Sequence, residues 1–286
     1  MSIEEIIRKA LEEDLGNGDH TSLATIPREA AGKSKLLIKE EGILAGVDIA
    51  KQVFRQIDPD LQFEIVISDG SPVRPGDIAF YVSGSSRSIL SGERLALNFM
   101  QRMSGIATAT SIMVKLIEGT GTKILDTRKT TPLLRELEKT AVRLGGGENH
   151  RMGLYDMIMI KDNHVDFAGG ITNAINAVNS YLKKMQPEEF KIQNSKFKIE
   201  IEVRNYKELQ EVLETGGVDR IMLDNFTVAD LSKAVKLING RFETEASGGI
   251  NINNIRQYAE TGVDYISVGA LTHHIKSLDM SLKAVI

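Results

Sequence analysis

Four cationic side chains lie in or beside glycine-rich and polar segments that follow short apolar runs. Arg128 and Lys129 belong to the segment DTRKTTP, Arg151 lies in GGGENHRMG, and Lys161 directly follows the apolar run MIMI. Any one of them alone is most simply a solvated surface group. Four at converging positions form a positive pocket, and arginine side chains bind carboxylates through paired hydrogen bonds. We therefore expect a strongly anionic substrate.

Two carboxylates, Glu202 in KIEIEV and Asp224 in IMLDNF, end two neighbouring predicted strands. Such a pair can bind Mg²⁺ through water, hold ribose hydroxyls or stabilise developing positive charge. Glu200 shares a strand face with Glu202, and that face is either the interior of a barrel or its outer side. An internal ion pair with a lysine is an equal alternative to catalysis for Glu200.

Small residues follow the last two predicted strands. They are Ser247, Gly248 and Gly249 in SGGI, and Gly269 in VGA. Backbone N–H groups at such turns can approach a phosphate closely, although tight strand-to-helix turns alone would also explain the glycines. Lys161 has an alternative too, because a lysine at a strand end can form a Schiff base.

Strands and helices alternate beyond residue 107, which predicts parallel βα units with the polar strand ends on one active face. The strands predicted from the pattern are 123–126, 157–160, 198–203, 220–223, 242–246 and 265–268. The predicted helices are 132–144, 171–185, 206–214, 228–238 and 252–260.

The first part of the chain has a different pattern, with an amphipathic helix at 3–12 and short strands bounded by turn signals. These strands are predicted at 35–39, 43–45, 63–67 and 78–82. A long helix follows from 86 to about 115, and we expect an interruption and a domain boundary near Gly105. The predicted domains are 1–107 and 108–274, with residues 275–286 packing back on the first.

Composition narrows the class of protein. The 286 residues include no cysteine, carry a formal net charge of −4 and contain no apolar run of membrane-spanning length. The first residues form an acidic amphipathic segment rather than a secretion signal. We expect a cytoplasmic protein that binds neither nucleic acid nor membranes.

A specific resemblance appears in the order and spacing of six segments. They are ERLALNFMQRMSGIATAT, DTRKTTPLLRELEKTAVRLGGGENHRMGLYDMIMIKDNHV, IEIEV, IMLDNF, EASGGI and ISVGALTH. Together they resemble the decarboxylating quinolinate phosphoribosyltransferases of NAD biosynthesis, from the loop EDLGNGDHTS almost to the last residue. The resemblance implies an α/β protein with an N-terminal open α/β sandwich and an incomplete, seven-stranded α/β barrel. It also implies a pentosyltransferase that uses quinolinate, phosphoribosyl pyrophosphate and Mg²⁺.

The resemblance implies roles for individual residues as well. Arg128, His150 and Arg151 would bind the quinolinate carboxylates, with Lys129 and Lys161 lining the same pocket. Glu202 and Asp224 match an acidic pair beside the ribose and the metal, which they would hold indirectly. The phosphate-binding turns would comprise Ser247, Gly248, Gly249, Gly269 and His273.

Assembly follows from the same resemblance, which implies a homodimer or a hexamer built as a trimer of dimers. Arg94 matches an arginine contributed by the neighbouring subunit. The insertion at 186–196 is expected to be loop variation away from the site. Three alternatives stay open: a related phosphoribosyltransferase-like protein acting on another anion, an aldolase that uses Lys161, and a ligand-binding regulator without activity.

Overall fold

The structure is a computed structural model that describes residues 1–184 and 197–285. The chain divides into two compact units, the first comprising Met1–Ile112, Lys129–Gly147 and Leu271–Ile286. The second comprises Met113–Arg128 and Glu148–Ala270. The domain bounds expected from the sequence stay a prediction. The predicted insertion at 186–196 lies outside the described residues.

The first unit contains six short strands. They are β1 Ala31–Ile38, β2 Gly42–Ile43, β3 Gln62–Ile65, β4 Pro72–Val73, β5 Ile78–Ser85 and β12 Met280–Ala284. Four of these form an antiparallel sheet in the order β12-β1-β5-β3, and β2 pairs with β4. Strand β12 pairs with β1 from Ser34 opposite Ala284 to Ile38 opposite Met280, so the last described residues complete this sheet.

Helices accompany the antiparallel sheet of the first unit. They are α1 Ile3–Leu15, α2 His20–Thr25, α3 Val47–Ile57, α4 Ser86–Leu116, α5 Arg135–Leu144 and α11 Ala270–His273, of which α4 and α11 extend beyond the unit. Phe54 of α3 packs against Phe63 and Phe80 of the sheet, whose ring centroids are 4.4 Å apart. This aromatic cluster holds the helix on the sheet, because aromatic side chains bury large apolar areas.

Helix α4 is continuous, so the predicted interruption near Gly105 is wrong. A Cβ at Gly105 would overlap the carbonyl oxygen of Lys276. Glycine is therefore needed here for the close approach of another backbone segment, and the flanking residues supply enough helical propensity to continue the helix.

The second unit contains all six strands predicted for it. They are β6 Lys123–Leu125, β7 Ile158–Ile160, β8 Ile199–Val203, β9 Arg220–Asp224, β10 Glu243–Ser247 and β11 Tyr265–Ser267. They form one parallel sheet in the order β6-β11-β10-β9-β8-β7. Glu148 makes a single parallel bridge to Leu125, on β6. The described part of the unit therefore has six regular strands. Glu148 adds one isolated bridge beside β6, without forming a strand.

In the described residues of the second unit, five helices lie between these strands. They are α6 Asp162–Ala168, α7 Ile171–Lys184, α8 Tyr206–Thr215, α9 Val228–Ile238 and α10 Ile255–Ala259. The prediction for α9 was correct at both ends, because Thr227 caps its first turn and Asn239 adopts the left-handed conformation that ends it. Among the described residues, no helix is both long enough and apolar enough to cross a membrane.

The parallel sheet has one polar face, which we define by Glu200, Arg220 and Glu245. Glu200 is paired in register with Arg220, and paired residues of parallel strands point to the same side. A guanidinium nitrogen of Arg220 donates to Glu245 at 3.1 Å. All three residues are buried. The polar face is thus buried, and its charged groups pair with one another within the sheet.

Candidate active site

The candidate site lies at the C-terminal ends of the parallel strands, where (β/α) barrels carry their active sites. Each strand of the second unit has a polar residue or a glycine at its C-terminal end or in the segment after that end. These are Arg128 after β6, Lys161 after β7, Glu202 on β8, Asp224 on β9, Ser247 on β10 and Gly269 after β11.

Asp126 fixes the loop that carries His150 and Arg151. Its carboxylate is fully buried directly after β6, and it accepts the backbone N–H of His150 at 2.9 Å and the side-chain amide of Asn149. These bonds hold the loop against the end of β6, beside Arg128. Asp126 was not predicted as a site residue, although a carboxylate between a buried strand and Arg128 is a detectable signal.

Arg128 and Arg151 form a pair of neighbouring guanidinium groups. Burial lowers the pKa of the Arg151 guanidinium, and the nearby positive charge of Arg128 lowers this pKa further. The Nε of Arg128 is buried and has no hydrogen-bond acceptor among the described residues. Two adjacent cations with an unused buried donor suit a bound anion, because a carboxylate relieves their repulsion and accepts their hydrogen bonds.

His150 is held from both sides of its ring. Its Nδ1 accepts the backbone N–H of Arg151 at 2.7 Å, and its Nε2 lies 2.9 Å from Glu200 and 3.5 Å from Glu245. The tautomer that fits these neighbours carries its proton on Nε2, the ring nitrogen nearer the two acids. His150 thereby fixes the backbone of Arg151, and its predicted contact with quinolinate stays a prediction.

Glu200 and Glu245 form a buried acidic pair below the loop. Burial raises the pKa of Glu245 to about 8, and the charge of Glu200 contributes to this rise. Burial also raises the pKa of Glu200, against the opposing charge of Arg220. Donor atoms of His150 and the two acids lie within 4.8 Å of one another, a spacing that a metal ion could bridge. Arg220 and a retained proton already supply positive charge there, so the cluster does not require a metal.

The retained proton predicts a pH dependence of stability. Folded Glu245 keeps its proton from its ordinary pKa of 4.5 up to about 8, whereas the unfolded chain loses it near 4.5. The folded state then binds more protons, so the free energy of unfolding falls as pH rises through this window. Glu245→Gln cannot titrate and should remove up to about 1.4 kcal/mol per pH unit of this slope. Urea unfolding of both proteins at several pH values measures it, and equal slopes would contradict the assignment.

Lys161, Glu202 and Asp224 form the mouth of the site. The Lys161 ammonium lies 3.3 Å from a carboxylate oxygen of Glu202. Burial raises the pKa of Glu202, the charge of Lys161 lowers it, and the charge of Asp224 raises it again. The two predicted acids are therefore electrostatic neighbours, as expected for a joint role. The Lys161 amine therefore has a carboxylate partner on the neighbouring strand β8.

The predicted phosphate turn has the open backbone that its role requires. Gly248 and Gly249 have φ values of 98° and 65°, and a Cβ at Gly249 would meet no atom within 4 Å. Side-chain amides of Asn251 and Asn254 donate to the carbonyl oxygen of Gly249 at 3.2 Å. Positive φ values are also what a tight turn needs, so the phosphate role of Ser247, Gly248, Gly249 and Gly269 stays a prediction.

Three predicted site residues belong to the first unit. The hydroxyl of Thr272 donates to the backbone carbonyl of Lys129 at 2.7 Å. Burial, His274 and then the charge of Lys129 lower the pKa of His273, so Lys129 and His273 are close to each other. Arg94 is exposed on α4 and makes no hydrogen bond or ion pair with a residue that the structure describes.

Comparison with known proteins assigns the family over almost the whole chain. Residues 19–104 match the family described as "Quinolinate phosphoribosyl transferase, N-terminal domain", and residues 106–283 match the corresponding C-terminal domain. The chain belongs to the quinolinate phosphoribosyltransferase family. The two matches meet next to Gly105, within the continuous helix α4.

Individual members of the quinolinate phosphoribosyltransferase family cover the chain at high identity. "Quinolinate phosphoribosyltransferase [decarboxylating] 1b" of Nicotiana tabacum is 47% identical over 97% of this chain and 81% of its own length. "Probable nicotinate-nucleotide pyrophosphorylase [carboxylating]" of Bacillus subtilis is 40% identical over 99% and 93%. The solved nicotinate-nucleotide pyrophosphorylase from Francisella tularensis has a TM-score of 0.90 at 40% identity, covering 99% and 96%. The predicted α/β architecture is thereby confirmed.

His164 makes a structural contact beside Lys161. Its Nδ1 accepts the backbone N–H of Lys161 at 2.9 Å at the start of α6. Sequence analysis missed Glu245 and Asn225 as parts of the site. An acid inside the predicted strand 242–246 was a signal for Glu245, whereas the structural importance of Asn225 depends on contacts between two strand ends.

Proposed function

We propose that the chain catalyses phosphoribosyl transfer to quinolinate with decarboxylation, giving nicotinate mononucleotide, carbon dioxide and pyrophosphate. The observation that carries this proposal is the pair formed by Arg128 and Arg151, in which like charges are held together beside an unused buried donor. Quinolinate carries two adjacent carboxylates, and two guanidinium groups can bind them with paired hydrogen bonds. The names of the relatives support the same substrate.

The first chemical step joins quinolinate to ribose. The ring nitrogen attacks C1 of the ribose, and the bond from C1 to pyrophosphate breaks with its electron pair leaving on the pyrophosphate oxygen. Positive charge develops on the ribose ring in this transition state. Glu202 and Asp224 stabilise that charge electrostatically, because they are preorganised carboxylates at the mouth of the site.

The second step is loss of the 2-carboxylate. The bond between C2 and the carboxylate breaks, carbon dioxide leaves, and the electron pair stays on C2 beside the positively charged ring nitrogen. A proton then adds to C2 and completes nicotinate mononucleotide. The guanidinium pair holds the ring in place during this step, with Lys129 and Lys161 contributing positive charge to the pocket in our proposal.

Mg²⁺ fits the proposed site through the chemistry of its donors. Glu202 and Asp224 offer carboxylate oxygens, the hard ligands that Mg²⁺ prefers, while Lys161 already engages one oxygen of Glu202. We therefore propose that both acids hold the ion through water molecules. When bound with pyrophosphate, Mg²⁺ would neutralise the negative charge of the leaving group.

The quaternary structure in this proposal is a homodimer or a trimer of dimers in which Arg94 completes the site of the neighbouring subunit. Its exposure on α4, with no partner among the residues described for this chain, supports such a role. The proposal gives phosphate-binding roles to Ser247, Gly248, Gly249 and Gly269, and to His273 of the first unit.

The proposed activity predicts carbon dioxide release from one carboxylate only. Quinolinate labelled at its 2-carboxylate should release labelled carbon dioxide in the presence of phosphoribosyl pyrophosphate and Mg²⁺. Quinolinate labelled at its 3-carboxylate is the matched control and should keep its label in nicotinate mononucleotide. Nicotinate lacks the second carboxylate and should react at least about 100-fold more slowly, because it leaves a buried guanidinium unpaired.

Other outcomes would identify the alternatives. Comparable turnover of nicotinate, or no reaction with quinolinate, would indicate a related transferase acting on another anion. Borohydride trapping of a carbonyl substrate on Lys161 would indicate an aldolase. Binding of quinolinate without any product would indicate a regulator.

A further inference from the structure

Asn225 occupies an unusual backbone conformation directly after β9. Its φ is 56°, in the left-handed region that residues other than glycine adopt infrequently. Its backbone N–H donates to the carbonyl oxygen of Ser247 at 2.8 Å, at the end of the neighbouring strand β10. The backbone of Asn225 thus ties the end of one strand to the turn that follows the next.

The side chain of Asn225 makes a second connection. Its Nδ2 donates to a carboxylate oxygen of Asp224 at 2.6 Å. Such a bond to a charged acceptor is stronger than one between neutral groups and limits the rotation of the Asp224 side chain. One of the two acids at the mouth is therefore held by its neighbour in sequence.

Gly248 accommodates the other edge of the Asn225 side chain. A Cβ at Gly248 would overlap Oδ1 of Asn225, and it would lie 2.6 Å from the Cγ and 2.9 Å from the backbone nitrogen. Gly248 also has a φ of 98°, so two independent constraints exclude a larger residue. The amide of Asn225 is consequently packed between Asp224 and the turn of Ser247, Gly248 and Gly249.

We propose that Asn225 is a positioning residue that fixes the Asp224 carboxylate relative to the turn at Ser247, Gly248 and Gly249. This inference rests on the proposed function, in which Asp224 acts at the ribose and the turn holds its phosphate. The ribose and the phosphate of one phosphoribosyl group must then be bound at a fixed separation. Asn225 contacts both of their binding elements.

The expected consequence concerns turnover rather than binding of quinolinate. A displacement of about 1 Å in a catalytic group can lower a rate by about 100-fold. Asn225 contacts neither Arg128 nor Arg151 through any hydrogen bond or ion pair that the described residues show. Loss of its side chain should therefore lower kcat and leave the dissociation constant of quinolinate unchanged.

Asn225→Gly tests the proposal, because glycine accepts the same φ and keeps the backbone bond to Ser247 while the amide disappears. Asn239→Gly is the matched control, since Asn239 is also left-handed, with a φ of 51°, and lies at the end of α9. We expect kcat to fall about 10- to 100-fold in Asn225→Gly and to stay unchanged in Asn239→Gly. Melting temperatures and quinolinate dissociation constants should match between the two variants.

A second variant, Asn225→Asp, tests the same role if Asn225→Gly does not fold. Asn225→Asp keeps the size of the side chain but replaces the donor by an acceptor beside Asp224, and it should also lower kcat selectively. Full turnover in either folded variant would overturn the positioning role. Failure of the proposed function is a separate result, because the unsubstituted protein would then release no carbon dioxide from quinolinate.

Discussion

Replacing Glu202 by glutamine should lower kcat by about 100- to 1000-fold while the KM for quinolinate changes little. The carboxylate is buried beside Lys161 and near Asp224, where the medium screens charge weakly. In the proposed mechanism its negative charge stabilises the positive ribose in the transition state and does not contact quinolinate, so its removal raises the barrier without weakening quinolinate binding. Steady-state assays of carbon dioxide release, with quinolinate varied at saturating phosphoribosyl pyrophosphate, measure both constants.

Glu260→Gln is the matched control for this prediction. Glu260 is an exposed carboxylate that also pairs with a cation, since Arg256 lies 2.7 Å away. Its substitution removes the same charge at the end of α10, outside the proposed site, and should leave kcat unchanged. Undiminished kcat in folded Glu202→Gln would remove Glu202 from the mechanism, whereas a large rise in KM for quinolinate would reassign it to substrate binding.

Mixing inactive Arg94→Ala chains with inactive Glu202→Gln chains should restore about a quarter of the wild-type activity. Random pairing makes half of the dimers mixed. If Arg94 serves the neighbouring subunit, one site of each mixed dimer contains both substitutions and the other contains neither. Arg94 is exposed on α4, whereas Glu202 is buried on β8, so the two substitutions affect different parts of the chain.

Re-pairing each variant with itself provides the control, and mass spectrometry confirms the mixed dimers. If Arg94 served its own subunit, every site in a mixed dimer would carry one substitution and no activity would return. Recovery well below a quarter in confirmed mixed dimers would therefore exclude the shared site. It would leave Arg94 as a ligand of its own subunit or as a structural residue.

The parallel strands of the second unit could be predicted because each combines a buried apolar run with a polar end. The strand that begins at Arg220 and the helix at Val228–Ile238 begin where the sequence pattern predicted. The predicted interruption of the helix near Gly105 was wrong because it used only the low helical propensity of glycine, which is a local property. The reason for glycine there is a contact with Lys276, which is distant in sequence.

The residues of the candidate site also fall into two groups, those that local sequence predicts and those that depend on contacts distant in sequence. Arg128 and Lys161 could be predicted from their places after apolar runs, and the alternation in KIEIEV placed Glu200 and Glu202 on one face. Asp126 accepts a hydrogen bond from the loop that carries His150, and Asn225 donates one to Ser247 at the end of another strand. Neither contact is visible in the local sequence. His150 shows the limit most clearly, since its ring contacts Glu200 and Glu245 from two further strands.

The close approach at Gly105 determines the register of α4. A shift of this helix by one residue would bring Ser104 or Ile106 opposite the carbonyl of Lys276, and neither side chain would fit where glycine is required. Such shifted arrangements of α4 against the segment before β12 are therefore disfavoured by steric overlap rather than by a loss of attractive contacts. The absence of a side chain at Gly105 thus disfavours shifted arrangements of α4, which contributes to the specificity of the fold rather than to the strength of packing.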